Sequence, residues 1–160
     1  MLIAVVSDTH GHLEFTRDAV RVLESIQVEQ ILHCGDIGSV QVISLFSPWP
    51  THFVFGNVDG QQELLREEIR QGEMTCHDLF GDLELEGKRI AILHGDDERR
   101  LQQTIDSGQW DLVCHGHTHV AEQRYCGKTL VLNPGAVYRA RVRSVAVVEL
   151  PSMEVTPIPI

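Results

Sequence analysis

The sequence predicts an α/β fold in which two β-sheets pack together and helices flank them. The first half of the 160-residue chain alternates short apolar, β-branched runs with amphipathic helical patterns, and the second half is mostly short strands. The first run, Leu2–Val6, is apolar throughout, which is typical of a strand covered on both faces. Hydrophobic residues make up 42% and charged residues 22% of the chain, so a globular protein with a sizeable core is expected.

The first half contains three predicted strands and three predicted helices. Apolar residues recur at helical spacing from Phe15 to Ile26, and Ser39 is a suitable N-cap for a second helix that Pro48 and Pro50 end. The predicted strands are 2–6, 30–33 and 51–55, and the predicted helices are 13–25, 40–46 and 61–70. This half is therefore βα-alternating.

The second half shows a period of two residues. Leu83 and Leu85 alternate with glutamates, a turn follows at Gly87, and Ile90 and Ile92 alternate again, which predicts a hairpin. A helix is predicted at 98–107, and further strands at 111–114, 122–125, 129–132, 144–150 and 154–158. No internal repeat or linker interrupts the pattern, so one domain covering residues 1–160 is expected.

Charge and cysteine content argue against several classes of protein. The formal net charge of −10 argues against stable nucleic-acid binding, and the acidic stretch 63–86 is expected to be a solvated face. No apolar run approaches the ~20 residues of a membrane span, and Leu2–Val6 is too short for a signal-peptide core. The four cysteines form no CxxC pair and are expected to be reduced: Cys34, Cys76, Cys114 and Cys126. A cytoplasmic protein with no membrane partner is therefore expected.

Potential metal ligands follow five of the predicted strands. They are Asp8 and His10 after the first strand, Asp36 after the second, Asn57 after the third, His94 after the second strand of the hairpin, and His117 and His119 after strand 111–114. In open α/β sheets, ligands bind outside the carboxyl ends of the strands. Residues two apart point the same way in extended backbone, which favours cooperation within the two closely spaced pairs.

Seven such residues are hard to explain as unrelated caps and loop residues. Carboxylates gathered at one place repel each other and raise one another's pKa, and a divalent cation removes that repulsion. Nitrogen and oxygen donors without thiolate suit Mn, Fe, Zn, Co or Ni. Seven donors exceed the needs of one ion, so we expect two ions that share a bridging carboxylate, an arrangement suited to displacement at phosphorus.

The chain resembles the calcineurin-like metallophosphoesterase superfamily in five motifs that occur in the expected order: Asp8-Thr-His10, Gly35-Asp36, Gly56-Asn57, His94 and Gly116-His117-Thr-His119. Its length and the later segment Asn133-Pro-Gly135 resemble the small bacterial and archaeal phosphodiesterase branch of that superfamily. The resemblance covers nearly the whole chain. It implies a four-layer α/β/β/α sandwich with two mixed β-sheets.

The resemblance also implies a ligand assignment and a mechanism. One metal would be held by Asp8, His10, Asp36 and His119, and the other by Asp36, Asn57, His94 and His117. Asp36 would bridge the two ions, and a bridging hydroxide would attack phosphorus. The implied cofactors are two divalent ions per chain, with manganese favoured and nickel, iron, zinc or cobalt as alternatives. The implied partners are a small phosphate-ester substrate and further copies of the chain in a homodimer or homotetramer.

Two positions depart from the family pattern. Val58 follows Asn57, where many members have a histidine thought to protonate the leaving group, and valine cannot transfer a proton. Either another group donates the proton, for which His12 and Asp96 are the candidates, or only substrates with good leaving groups are hydrolysed well. Ala136 stands where the branch commonly has serine, which is expected to cost at most a local hydrogen bond.

Other polar residues have ordinary structural explanations. His33 and His115 are expected to be hydrogen-bonded structural residues, while His52 and His77 are expected at the surface. Asp59 would either orient a ligand histidine or cap the next helix. Alternation places three arginines on one side of an extended segment, where solvent or a second subunit is favoured over a substrate phosphate: Arg139, Arg141 and Arg143.

Three functions compete for this ligand set. Hydrolysis of a phosphodiester is favoured because of the branch resemblance, and hydrolysis of a phosphomonoester on a small metabolite is the closest alternative. A relative with this fold is a scaffold in membrane-trafficking complexes with a degraded metal site, but all seven ligand positions are intact here. A hydrolase of the metallo-β-lactamase type needs an HxHxDH run, and Val120 follows His119 instead.

Overall fold

The computed structural model describes residues 1–160 and contains a six-stranded and a five-stranded sheet. The strands are β1 (Leu2–Val6), β2 (Gln30–His33), β3 (Thr51–Phe53), β4 (Thr75–Cys76), β5 (Gly81–Leu85), β6 (Lys88–Ile92), β7 (Leu112–Cys114), β8 (Glu122–Cys126), β9 (Thr129–Asn133), β10 (Ser144–Glu149) and β11 (Glu154–Pro159). The helices are α1 (Leu13–Ile26), α2 (Val40–Leu45), α3 (Gln62–Gln71) and α4 (Glu98–Asp106).

Both sheets are mixed. The first has the order β11-β10-β1-β2-β3-β4, with parallel pairing from β1 to β4 and antiparallel pairing at β10 and β11. The second has the order β5-β6-β7-β9-β8, in which β6, β7 and β9 are parallel and the two edge strands are antiparallel. The parallel strands extend from the middle to the β4 edge of the first sheet and form the centre of the second, and a site is expected at their carboxyl ends.

Three buried apolar clusters separate four layers. One lies between the helices α1, α2 and α3 and the first sheet, a second lies between the two sheets, and a third lies between the second sheet and α4. The protein is therefore a four-layer α/β/β/α sandwich, which confirms the architecture that the family resemblance implies.

The alternation along β1 explains why this strand is apolar throughout. Ala4 and Val6 pack in the cluster beneath the helices, while Ile3 and Val5 pack in the cluster between the sheets, and all four are fully buried. Truncating a fully buried isoleucine such as Ile3 to alanine costs ~2–5 kcal/mol. Because β1 also pairs with β2 and β10, the position where it ends is tightly constrained.

Helix termini agree with the sequence patterns. Ser39 caps α2 by accepting the Val42 N–H, as predicted, and Asp97 caps α4 by accepting the Arg100 N–H. The longest helix, α1, has 14 residues and is amphipathic. None of the four helices combines the length and apolar character needed to span a membrane.

The structure differs from the predicted elements mainly at the edge of the first sheet. Strand β3 ends at Phe53 rather than at residue 55, because the N–H of Phe55 donates to the carbonyl of Asp78 and leaves the ladder. The two-residue strand β4 is too short to give a periodic signal. The predicted hairpin is confirmed as β5 and β6, and its two-residue turn, Glu86-Gly87, has positive φ at both positions.

The prediction that His52 and His77 lie on the surface is wrong. Both are half-buried, their rings stack with centroids 5.2 Å apart, and His52 Nδ1 lies 2.9 Å from His77 Nε2. Burial and the neighbouring His77 lower the pKa of His52 to about 4, and burial also lowers the pKa of His77. The pair is therefore neutral near pH 7.

This neutral pair makes folding stability fall at acidic pH. An unfolded histidine binds a proton near pH 6.5, whereas folded His52 resists protonation until about pH 4, so the free energy of unfolding decreases as pH falls through this window. One fully withheld proton gives at most ~1.4 kcal/mol per pH unit, and partial exposure reduces this slope. Urea unfolding is measured at pH 7 and pH 5 with a chelator present. The free energy of unfolding should decrease less between the two pH values for His52→Gln than for the parent. Equal losses would contradict this assignment.

Candidate metal centre

The ends of five parallel strands from both sheets meet at one place. Backbone hydrogen bonds join the loops that follow them: the N–H of Asp8 donates to the Gly35 carbonyl at 3.0 Å, that of His10 to Asp36 at 2.9 Å, and that of Gly116 to His94 at 2.9 Å. The site therefore combines loops from both sheets, and each loop is held by its neighbour.

Four predicted ligands form one compact group. One ligand atom from each of Asp8, His10, Asp36 and His119 lies within 4.8 Å of the other three. His119 Nε2 is 3.1 Å from Asp8 Oδ1 and 3.3 Å from His10 Nε2. The Nδ1 of His119 faces the Arg139 carbonyl at 3.3 Å, which places the proton on Nδ1 and leaves the Nε2 lone pair facing the group.

The remaining three predicted ligands lie beside this group. His94 Nδ1 donates to the Cys34 carbonyl at 2.8 Å, so its Nε2 faces Asp36 Oδ2 at 3.3 Å and Asn57 Oδ1 at 3.1 Å. His117 Nδ1 lies 3.2 Å from the same Asn57 oxygen. All seven predicted ligands are thus in one continuous cluster.

Asp36 occupies the centre of the cluster. Its Oδ1 accepts the N–H of Val58 at 3.1 Å, which fixes the carboxylate plane. Its Oδ2 lies 3.6 Å from His10 Nε2 on one side and 3.3 Å from His94 Nε2 on the other. One oxygen of Asp36 therefore faces one histidine from each half of the cluster.

The two carboxylates remain ionised despite their burial. Burial raises the pKa of Asp8, but contacts with His10 and Ser7 and the fields of His94 and His119 outweigh it, so the pKa lies below its usual value. Burial likewise raises the pKa of Asp36, and His94 and the Val58 N–H reverse the shift. Burial lowers the pKa of His94, but Asp36 more than compensates and raises it. The two ionised carboxylates therefore make the cluster a place that attracts a cation.

One structural feature indicates that the cluster is suited to bind a divalent metal ion. Asp8 Oδ1 is buried and accepts no hydrogen bond, a state that proteins rarely tolerate. His119 Nε2 lies 3.1 Å and His10 Nε2 3.7 Å from this oxygen, and His119 turns a lone pair toward it. Oxygen and imidazole donors that converge with their lone pairs suit a cation of the first transition series.

Five of the seven predicted ligands adopt left-handed backbone conformations. Their φ values are 56° at Asp8, 47° at His10, 54° at Asp36, 68° at His117 and 59° at His119. Such conformations cost ~1–3 kcal/mol each outside glycine and persist where the surroundings enforce them, often at functional sites. They also correct the expectation of extended backbone at the two closely spaced pairs, because both residues of each pair have positive φ.

Glycine is required where the backbone touches ligand side chains. A Cβ on Gly56 would overlap Asp36 Oδ1, and a Cβ on Gly116 would overlap Ser7 Oγ and lie 2.6 Å from Asp8 Oδ2. The two glycines therefore let neighbouring loops pack directly against the carboxylates.

Asp59 performs a role that neither sequence-based alternative described. It neither caps α3 nor contacts a ligand histidine; its carboxylate accepts the N–H groups of Gly56 at 2.8 Å, Gly38 at 2.9 Å and Ile37 at 3.2 Å. Burial raises the pKa of Asp59, and these three hydrogen bonds oppose the shift. This 3% exposed carboxylate joins the loop carrying Asp36 to the loop carrying Asn57.

Two further buried networks support the centre. The Gly35 N–H donates to His33 Nδ1, so His33 Nε2 carries the proton and donates to Thr9 Oγ1 at 3.1 Å. Burial lowers the pKa of His33 to about 3, in keeping with its predicted structural role. Asn133 Nδ2 donates to the Gly116 carbonyl at 2.9 Å and to Thr118 Oγ1 at 3.0 Å, which holds the loop of His117 and His119.

The two candidate proton donors occupy different environments. His12 is the N-cap of α1: its Nδ1 accepts the Phe15 N–H, and its ring stacks on Phe15 at 4.0 Å and on Tyr138 at 4.6 Å. Only Nε2 remains to carry a proton. Asp96 is exposed and lines a cavity of about 220 Å³ together with His94.

The expectation that three arginines share one side of an extended segment is wrong. Residues 137–143 form bends rather than a strand, and Arg139 has a φ of 59°. Arg143 turns back over the Phe15 ring at 3.8 Å and lies 3.8 Å from Asp18, whereas Arg139 and Arg141 are exposed. The three guanidinium groups therefore have different surroundings.

Known proteins are similar to this chain over most of its length. Residues 1–153 match the calcineurin-like phosphoesterase superfamily domain. The chain is 35% identical over 138 residues to the phosphodiesterase MJ0936 of Methanocaldococcus jannaschii, covering 84% of this chain and 83% of the relative. It is 25% identical over 150 residues to the probable metallophosphoesterase YsnB of Bacillus subtilis, covering 89% and 79%.

Solved structures show the same architecture. An archaeal phosphodiesterase superposes with a TM-score of 0.93 at 31% identity over 100% of both chains. Vps29 of Entamoeba histolytica superposes with a TM-score of 0.72 at 17% identity over 100% of this chain and 99% of the other, which shows the fold alone. This chain belongs to the calcineurin-like phosphoesterase superfamily. It is a hydrolase that acts on phosphoric esters.

The clamp formed by Asp59 leads to a prediction about metal affinity and stability. In Asp59→Asn, an amide NH₂ replaces one oxygen and faces a backbone N–H, so one buried donor loses its acceptor. We expect a loss of ~1–3 kcal/mol in the free energy of unfolding and a ~10–100-fold weaker metal affinity. Urea unfolding and metal titration measure these changes, and Asp106→Asn on the exposed face of α4 is the matched control. Parent-like behaviour of both variants would show that the clamp is dispensable.

Proposed function

We propose that this chain is a phosphodiesterase with a dinuclear metal centre formed by the seven clustered side chains. One observation carries the proposal: Asp36 Oδ2 lies between His10 Nε2 and His94 Nε2, each of which belongs to a separate set of converging donors. Asp8, His10, Asp36 and His119 would hold one ion, and Asp36, Asn57, His94 and His117 the other. We infer that residues 1–160 work as a single domain.

The protein residues would contribute orientation and charge. When bound, two divalent ions, with manganese favoured over nickel, iron, zinc or cobalt, would supply Lewis acidity and the hydroxide that attacks phosphorus. Asp36 would fix the spacing of the two halves, because the Val58 N–H holds its other oxygen. Asn57 is exposed, and its amide NH₂ is available to donate to a substrate oxygen while its Oδ1 faces His94 and His117.

A diester is favoured over a monoester by the relatives. The phosphodiesterase MJ0936 matches 84% of this chain, and the archaeal phosphodiesterase shares its whole architecture. A protein-interaction scaffold, the alternative from another class, would not require converging donors or the strained conformations that support them. Rates on bis(p-nitrophenyl) phosphate and p-nitrophenyl phosphate, compared on manganese-loaded protein, test the choice; faster turnover of the monoester would contradict it.

Asp36→Asn tests the bridging role. The amide removes the negative charge shared by both halves, so metal content should fall from about two ions per chain to one or none, and diester hydrolysis should fall at least ~100-fold. Elemental analysis and a metal-dependent rate assay measure the two effects. Asp106→Asn removes the same charge far from the cluster and serves as the control. A fully active Asp36→Asn protein with two ions would refute the bridge.

We infer that Asp96 is the proton donor, because it shares a cavity with His94, whereas His12 Nδ1 is engaged as a helix cap and only its Nε2 is available for proton transfer. Proton donation matters most for poor leaving groups. We expect Asp96→Asn to slow diphenyl phosphate hydrolysis ~100-fold or more, with a much smaller effect on bis(p-nitrophenyl) phosphate.

His12→Asn is the matched comparison, since asparagine keeps an N-cap acceptor but cannot transfer a proton. The ratio of the diphenyl phosphate rate to the bis(p-nitrophenyl) phosphate rate should be the same in this variant as in the parent. A changed ratio in His12→Asn alone would assign the proton to His12.

A further inference from the structure

Positive charge is concentrated in one part of this acidic chain. Residues 123–148 contain no Asp or Glu, although the net charge of the whole chain is −10. The basic residues of this segment are Arg124, Lys128, Arg139, Arg141 and Arg143. Arg124 pairs with Glu122 at 2.6 Å, and Arg143 packs on Phe15 near Asp18. Among the arginines of the segment, only Arg139 and Arg141 have no carboxylate partner.

Those two arginines line a cavity next to the metal centre. The cavity has a volume of about 490 Å³ and includes His119 in its wall. Because His119 Nδ1 donates to the Arg139 carbonyl, the turn that carries both arginines is attached to a candidate metal ligand. The rest of the wall is largely apolar and includes Val120, Val142 and Pro157. Volumes of ~300–1,000 Å³ are typical of small-molecule sites.

The other cavities beside the centre have different charge. The cavity of about 510 Å³ that includes Val58 has no lysine or arginine in its wall. The cavity that includes His94 contains Arg100, but also Asp96 and Asp97, and the Arg100 guanidinium lies 4.9 Å from the Phe80 ring centroid. Of these three cavities, only the one beside His119 has arginine side chains and no carboxylate in its wall.

We propose that this cavity binds one arm of the phosphodiester substrate, and that Arg139 and Arg141 recognise a second phosphate on that arm. The inference rests on the proposed phosphodiesterase function and names its substrate class: a diester with a further phosphate beyond the scissile one. Guanidinium groups suit phosphate because their forked donors match its oxygens. The apolar wall contacts the part of the arm between the two phosphates.

A pair of probes that differ by one phosphate tests this proposal. Thymidine 5′-(p-nitrophenyl phosphate) has one phosphate, and its 3′-phosphorylated derivative has two. With manganese-loaded protein, the second phosphate should lower KM by about tenfold, the effect of one charge-assisted hydrogen bond. Arg141→Gln and Arg139→Gln should each reduce this ratio, and the double variant should bring it to one.

Arg124→Gln is the matched control, because it removes one charge from the same segment outside the cavity. An equal reduction in Arg124→Gln and Arg141→Gln would attribute the effect to net charge and overturn the proposal. A parent protein with the same KM for both probes would overturn it as well. Circular dichroism and metal content verify that each variant is folded, as the exposure of Arg141 leads us to expect.

Binding to the metal-free protein separates this inference from the proposed activity. Thymidine 3′,5′-bisphosphate should bind more tightly than thymidine 5′-monophosphate in calorimetric titrations, and Arg141→Gln should remove the difference. If neither ester is hydrolysed but the bisphosphate preference is present, the phosphodiesterase function fails and the anion site stands. If both esters are hydrolysed with no preference in KM or binding, the anion site fails alone.

Discussion

Two buried carboxylates, Asp8 at 0% and Asp36 at 2% exposure, impose the constraint on which the centre depends. An ionised carboxylate removed from water requires compensating positive charge or hydrogen bonds, and Asp8 Oδ1 has no hydrogen bond. The histidines His10, His94 and His119 surround the two carboxylates and lower their pKa values. Converging lone pairs and negative charge form a site that is electrostatically incomplete without a cation, which explains why the surrounding structure must hold it so firmly.

That firmness comes from the two sheets. Strand β1 is buried on both faces and paired on both sides, so Asp8 and His10 begin from a position that cannot shift without disturbing two cores. The second sheet supplies His94 from β6 and the histidine loop after β7, and the cluster between the sheets fixes the distance between the two sources. Asp59 then joins the loops of Asp36 and Asn57 through three backbone N–H groups. The packing energy of the layers thereby offsets the repulsion between the two carboxylates and the backbone strain of the predicted ligands.

The sequence predicted the elements that have a periodic pattern and the clustering of ligands at strand ends. The β1 run, the α1 pattern and the hairpin turn at Glu86-Gly87 each carry a local signal, and the predicted ligands lie together because parallel strands end at the same edge. Errors arose where the decisive contact is distant in the chain. The stacking of His52 on His77 and the clamp of Asp59 on Gly38 join residues more than twenty positions apart, and no local pattern encodes them. The different surroundings of the arginines after Tyr138 were not predicted for a related reason. Alternation in the sequence places side chains on one face only when the backbone is extended, and this segment is not.

Under the proposed function, the residues that hold the metal ions and the residues that contact the substrate arm lie in differently built regions. The cluster around Asp36 is held by backbone hydrogen bonds and buried strands, so nearly any substitution within it alters both halves of the centre. The cavity beside His119 is instead lined by exposed side chains on bends and loops, where Arg141 and Val142 support no core packing. Two contacts couple the two regions, His119 Nδ1 with the Arg139 carbonyl and the Tyr138 N–H with the Asp8 carbonyl, and both use the backbone of the turn rather than its side chains. Under the proposed function, side chains along residues 139–142 would therefore set which ester arm is bound without disturbing the packing that holds the metal ligands.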